Sequence, residues 1–247
     1  MQLSLMTWQE VEAYLTDRSA IILPIGSQEQ HGPMGLIGTD AQTAEAIAHK
    51  VGAEREIVVG PTISVGMAQH HLGFTGSMTL RPTTLIALIV DYITSLSRHG
   101  FDQFYFVNGH GGNITTVQTA FQEIYAEYSL AGADCPIRCR LANWFAMKDV
   151  VNLTQELYGD KEGMHATPSE VALTQYLFPD HIKSMAPSDA APIKRMFTDA
   201  SDYRALFPDG RMAAASELAN PEDGKRFLEI AAKAINKDLS AFLAGEK

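Results

Sequence analysis

Cysteine is scarce: the 247-residue chain has two, Cys135 and Cys139. Both fall in one predicted strand, where a rise of about 3.3 Å per residue sets them about 13 Å apart, too far for a disulfide. Long apolar runs are missing too. The longest that matters, Leu85 to Val90, stops at Asp91, far short of the roughly 20 residues a bilayer demands. Residues 1–18 lack both the basic region and the apolar stretch of a secretory signal. These absences predict a reduced, cytoplasmic chain with no membrane span. Basic residues are few as well, 19 Lys and Arg against 29 Asp and Glu, for a net charge of −10. That balance argues against nucleic acid as the main partner, and against anionic membrane surfaces.

What remains is a globular composition, 46% apolar and 19% charged, in a length that fits one large domain over residues 1–247. Short β-rich runs alternate with amphipathic ones. Residues 20–25 (AIILPI), 56–60, 102–107 and 136–141 read as strands. Residues 39–51, closed by Gly52, then 83–99, 114–130 and 168–178 read as helices. A last helix starts at the N-cap Asn220 with Pro221 in its first position. This order predicts an α/β fold, a mainly parallel sheet with helices on both faces. Residues 179–219 are the least regular part, expected as a surface excursion or an oligomer contact.

Ligands of such sheets gather at the carboxyl ends of the strands, so the loops there carry the functional reading. After the first strand come Glu29 and His31, two apart and on one side of an extended segment, then Gly32, Pro33, Gly35 and Gly38, which let the chain fold back and bring Asp40 toward them. The strand ending at Val107 delivers His110 among Gly109, Gly111 and Gly112. Trp144, His165 and Glu170 follow the last core strand. The set is rich in oxygen and imidazole and has no thiolate, which suits Zn, Mn, Fe or Ni in a hydrolytic role. A carboxylate such as Asp40 can bridge two ions. Other readings stand beside this one. A lone Glu-x-His is usually a solvated loop, and the glycine-rich loop around His110 is also a candidate phosphate cradle. Glu170 completes a capping box, Thr167-Pro168-Ser169-Glu170, so helix cap and metal ligand are both open to it. Trp144, read by itself, is more often a core or rim aromatic than a functional one.

The segments Gly26-Ser27-x-Glu29-Gln30-His31-Gly32-Pro33, Gly38-Thr39-Asp40 and Asn108-Gly109-His110-Gly111-Gly112-Asn113 resemble those of the creatininase (creatinine amidohydrolase) family. His71-Leu72-Gly73-Phe74-Thr75-Gly76-Ser77 and His165-Ala166 with Glu170 are looser matches, and all lie in the family's order. The resemblance implies a three-layer α/β/α sandwich and a homohexamer. It also implies a dinuclear metal centre, zinc first with manganese or iron as alternatives, acting on a small-molecule amide. Carried over, Glu29 and His110 hold one ion, His31 the other, and Asp40 bridges. His165 protonates the leaving nitrogen, and His71 and Trp144 belong to the substrate pocket.

Creatinine-hydrolysing members have Tyr-Glu after the motif histidine, where this chain has Gly111-Gly112, and a tryptophan where it has Lys161. Both changes turn the expectation away from creatinine. Glu170 is then expected to supply the missing carboxylate and its proton handling, and the N–H groups of Gly111 and Gly112 to offer an oxyanion site. The expected activity is hydrolysis of a non-peptide C–N amide bond, in a cyclic amide or formamide, by metal-activated water. The competing expectation is a non-catalytic protein that binds a phosphate-bearing ligand on the glycine-rich loop.

Overall fold

The computed structural model describes residues 1–186 and 188–245. Its elements run α1 (Trp8–Leu15), β1 (Ala20–Ile25), α2 (Thr39–Arg55), β2 (Val58–Val59), α3 (Pro82–Ser97), β3 (Gln103–Asn108), α4 (Ile114–Leu130), β4 (Arg138–Asn143), α5 (Lys148–Leu157), α6 (Pro168–Leu177), α7 (Ala200–Leu206) and α8 (Pro221–Leu243). The four strands form one parallel sheet in the order β2-β1-β3-β4.

Burial on both faces explains why β1 and β3 read as continuous apolar runs rather than as alternating ones. Ala20, Ile22, Tyr105 and Val107 point to one layer, with α2, α5, α6 and α8. Ile21, Leu23, Ile25, Phe104 and Phe106 point to the other, with α1, α3 and α4. The expected three-layer α/β/α sandwich is the observed one. Among the described residues no helix is long and apolar enough to cross a membrane, and Cys135 and Cys139 are free.

Several boundaries differ from the sequence reading, each for a local reason. Gly52 does not end α2, which runs on to Arg55 and closes on Glu56 in the left-handed region at φ 53°. The glycine is there for packing: a Cβ on it would lie 2.4 Å from Val59 Cγ2. The extended run then shrinks to Val58–Val59. Cys135 falls ahead of β4, not within it. α1 begins at a full capping box, Thr7 with Glu10, a signal present in the sequence. Residues 179–219 are no simple excursion, since Tyr203 and Arg211 are fully buried. Arg211 is held by Asp209 and Glu217.

Candidate metal centre

In the order β2-β1-β3-β4, the connection after β1 leaves toward one edge of the sheet and that after β3 toward the other. A crevice opens between their carboxyl ends, where sheets of this class bind ligands. The first turn of α2 enters it because the two strand-ending loops begin with glycine. A Cβ on Gly109 would sit 2.1 Å from the Asp40 carbonyl oxygen, and one on Gly26 2.3 Å from Ala41 N. Only hydrogen fits at either place, and the result is a fully buried Asp40 in the first turn of a helix.

The side chains gathered there make a chain of carboxylates and imidazoles. Asp40 Oδ1 is 3.0 Å from His31 Nε2, and its Oδ2 is 3.1 Å from His110 Nδ1. Glu29 Oε2 lies 3.3 Å from His110 Nδ1. Glu170 Oε2 is 3.9 Å from His31 Nε2, and His165 Nδ1 is 3.6 Å from Glu29 Oε1. Three groups of donor atoms lie close enough to hold a cation: Glu29, Asp40 and His110; His31, Asp40 and Glu170; and Glu29, His31 and His165.

Three of these histidines are oriented from behind by backbone carbonyls. His110 Nε2 is 3.0 Å from Met67 O, His31 Nδ1 is 3.1 Å from Glu29 O, and His165 Nε2 is 2.7 Å from Gln30 O. A carbonyl only accepts, so the N–H sits on that side and the other ring nitrogen faces the carboxylates. Both carboxylate oxygens of Glu29 and Asp40 Oδ2 are buried and have no hydrogen-bond partner among the described residues. Buried carboxylate oxygens opposed by imidazole nitrogens call for positive charge between them, a proton or a metal cation. The donor set, oxygen and imidazole nitrogen without sulfur, fits zinc, manganese or iron.

The electrostatics show the same demand from the proton side. Burial works against a charged His31, but Asp40 and Glu170 outweigh it and raise the imidazole to about 10. Burial likewise opposes charge on His110, yet Glu29 and Asp40 hold it well above its ordinary range. Glu170 is pushed up to about 7 by burial, against the pull of His31. Burial favours a neutral Glu29, but His110 and His71 keep it well below the usual carboxylate range. His165 is held well below the ordinary imidazole range by burial and by His71 and His31, and so is neutral.

A cleft of about 340 Å³ opens onto this cluster through Asp40, His110, Gly111, His165 and Glu170, with Phe145, Val151 and Met164 on its apolar side. A larger groove of about 870 Å³ between α2, α5 and α8 is lined by paired surface charges such as Lys50 and Glu229. It holds none of the candidate metal groups found among the described residues. Glu29, His31, Asp40, His110, His165 and Glu170 thus meet in one place. Glu170 serves there and also caps α6, its Oε1 accepting from Thr167 N at 2.6 Å. Gly111 has open space where a side chain would project, whereas a Cβ on Gly112 would strike His110 Nε2 at 2.4 Å.

Gly112, unlike Gly111, is not among the residues that line the cleft, and two side chains expected in the pocket lie elsewhere. Trp144 follows β4 in a tight turn that folds its ring into the apolar layer, 1% exposed, and its neighbour Phe145 lines the cleft instead. His71 is buried behind Glu29, its Nε2 3.1 Å from Glu29 Oε1. Sequence reasoning passed over Gln30, Tyr203 and Gly210, which support His71 and His165 from the rear. The placing of Gln30 between two candidate ligands was the one available signal.

Residues 4–239 match the family described as Creatininase: Creatinine amidohydrolase. The chain is 37% identical over 106 residues to a mycofactocin precursor peptide peptidase of Mycolicibacterium smegmatis. That match spans 40% of this chain and 42% of the relative, so the chain covers less than half the length of that protein. It is 26% identical over 252 residues to the creatinine amidohydrolase of Pseudomonas putida, spanning 93% and 92% of the two. Among solved structures, a manganese creatininase superposes with a TM-score of 0.81 at 23% identity, covering 96% of both chains. A mutant creatininase of Zn-Zn type superposes at 0.80 and 22%, with the same coverage. These superpositions establish the fold.

Proposed function

The chain belongs to the creatininase family, and from that premise we propose that it is a hydrolase of an amide C–N bond, dependent on two divalent cations. Asp40 carries the reading: its two oxygens face two different imidazoles at 3.0 and 3.1 Å, the arrangement of a carboxylate shared between neighbouring ions. Glu29, Asp40 and His110 would hold one ion, and His31, Asp40 and Glu170 the other. When bound, such ions supply Lewis acidity toward a carbonyl oxygen and lower the pKa of water. Zinc and manganese creatininases among the structural neighbours support the choice of metal.

The remaining chemistry belongs to the protein. Hydrolysis adds the oxygen of one water to the carbonyl carbon, breaks the C–N bond and moves a proton to the departing nitrogen, a poor leaving group without it. His165 lines the cleft with Nε2–H tied to Gln30 O, so Nδ1 is its one ring nitrogen free to take that proton and pass it on. Phe145, Val151 and Met164 offer apolar surface for the amide's substituents. The cleft suits a small cyclic amide or formamide. A second reading, the end of a short peptide, is favoured by the open space at Gly111 and by the peptidase named for the M. smegmatis relative. The alternative of a phosphate-binding protein is disfavoured, because His110 is already opposed by the carboxylates of Glu29 and Asp40 at 3.3 and 3.1 Å.

The test joins metal content to turnover. Asp40→Asn is expected to lose both ions and all activity on lactams, formamides or short peptides. His165→Ala is expected to keep its metal and lose roughly 10²–10⁴-fold in turnover. Full metal content in Asp40→Asn would remove the shared carboxylate and the reading with it.

A further inference from the structure

Gln30 sits between Glu29 and His31, but its own amide serves neither. Its Nε2 lies 2.9 Å from His71 Nδ1, 3.0 Å from Gly210 O and 3.0 Å from His165 Nε2, and its Oε1 accepts from Gly32 N at 2.8 Å. An amide nitrogen has two hydrogens for these three neighbours. His165 Nε2 already carries a hydrogen, the one it donates to Gln30 O at 2.7 Å, so it cannot accept another. The two amide hydrogens therefore go to Gly210 O and His71 Nδ1. A flipped amide would set oxygen against the Gly210 carbonyl and NH₂ against the Gly32 N–H, so the orientation is determined by its partners. With His71 Nδ1 accepting, the ring proton is on Nε2, 3.1 Å from Glu29 Oε1.

We infer that Gln30 is a positioning residue: its amide holds the His71 ring with its Nε2–H toward Glu29 Oε1, 3.1 Å away, leaving Oε2 as the oxygen Glu29 turns toward His110. His71 differs in this from His31, His110 and His165, each of which turns one ring N–H to a backbone carbonyl. The part assigned to Glu29 rests on the metal-centre reading above; the proton position on His71 does not.

The rear of the arrangement is built for it. Gly210 has φ +91°, and a Cβ there would fall 1.8 Å from Gln30 Oε1. Its carbonyl also accepts from Tyr203 Oη at 2.9 Å, and the Tyr203 ring packs edge-on against His71 with centroids 4.7 Å apart. The irregular stretch after α6 thus supplies a back plate, and Gln30 transmits its position to Glu29 by way of His71. Outer partners of this kind hold a ligand in one orientation, and losing them typically weakens metal affinity about 10–100-fold.

Two measurements on the full chain test this. With histidine ¹⁵N-labelled and the metal stripped, long-range proton–nitrogen NMR reads the tautomer of each ring, and the His71 signals are identified by their loss in His71→Ala. The expected result is a proton on Nε2 of His71, lost or mixed in Gln30→Met. In competition with a chromophoric chelator, Gln30→Met is expected to bind Zn²⁺ about 10–100-fold more weakly and to add nothing in a His71→Ala background. Gly210→Ala, which displaces Gln30 from the far side, is expected to reproduce both effects should Gln30→Met not fold. A proton on Nδ1 of wild-type His71, or Zn²⁺ affinity unchanged in Gln30→Met and Gly210→Ala, overturns the inference. Failure of the wild-type chain to bind Zn²⁺ at all sinks the metal-centre reading instead, and the tautomer measurement still decides the placement of the His71 proton.

Discussion

Glu170 has two oxygens in two employments: Oε1 takes the Thr167 N–H at the head of α6, while Oε2 turns to His31 across the cluster. The two roles separate by substitution. Glu170→Gln keeps an amide oxygen for the cap and removes the charge, so the folded chain is expected to keep one of the two proposed ions, read by elemental analysis. Thr167→Ala removes the hydroxyl that accepts from Glu170 N and is expected to cost about 1 kcal/mol in chemical denaturation with metal content unchanged. Loss of metal in the second and not in the first would reverse the assignment. At this scale much of the site was legible. Glu29, His31, Asp40 and His110 are few, polar and set just after apolar strands, and that position is what the sequence displays. Trp144 was not legible, because whether a ring beyond a strand end turns outward or inward depends on the turn that follows. Nor was the support given by Gly210, which meets Gln30 across 180 positions of chain, a contact no local pattern encodes.

Among the elements, β1, β3, α4 and α8 could be read nearly to the residue, since apolar runs and caps announce them. The C-terminal end of α2 could not. A glycine late in a helical pattern usually marks a stop, and at Gly52 the rule gave way to packing against Val59. This yields an expectation opposite to helix propensity. Gly→Ala inside a helix ordinarily stabilises by about 1 kcal/mol. At Gly52 the new methyl group would overlap Val59 Cγ2 and press on Ile57 O, and overpacking of this kind costs about 1–3 kcal/mol. Gly52→Ala is therefore expected to lower the denaturant midpoint, and a raised midpoint would show that the α2–β2 contact gives way. The capping box that starts α1 lies as openly in the sequence as the one at α6. A helix of eight residues with one buried side chain, Tyr14, simply lacks the long apolar stripe that draws notice.

For the whole molecule, the site couples stability to pH and metal in a definite direction. Glu170 rises from 4.5 to about 7 and His31 from 6.5 to about 10 on folding without metal. Both bind protons more readily folded than unfolded, so both contributions to stability fall as pH rises. That of Glu170 is lost between pH 4.5 and about 7; that of His31 is complete below pH 6.5 and is lost toward about 10. Glu29 and His165, held low, act in the opposite sense, but only up to about their ordinary 4.5 and 6.5. The chelator-treated protein should thus melt at a lower temperature near pH 9 than near pH 6. Added Zn²⁺ replaces those protons, so its stabilising shift should be larger at the higher pH. Equal shifts at both would mean that the cation and the protons do not share the cluster.

The two candidate groups around Asp40 do not draw equally on the chain. Glu29, Asp40 and His110 are all in hand once β3 has paired with β1, whereas the other group is incomplete until α6 delivers Glu170 from the second half. Loosening the later segments, by heat, by proteolysis beyond residue 157, or during synthesis before they emerge, is therefore expected to empty the proposed Glu170 seat first, while the Glu29 seat keeps its three ligands and loses only the support relayed through Gln30 and His71. A protein caught with a single tenant would be one whose front half had closed around its guest while the back half was still on its way.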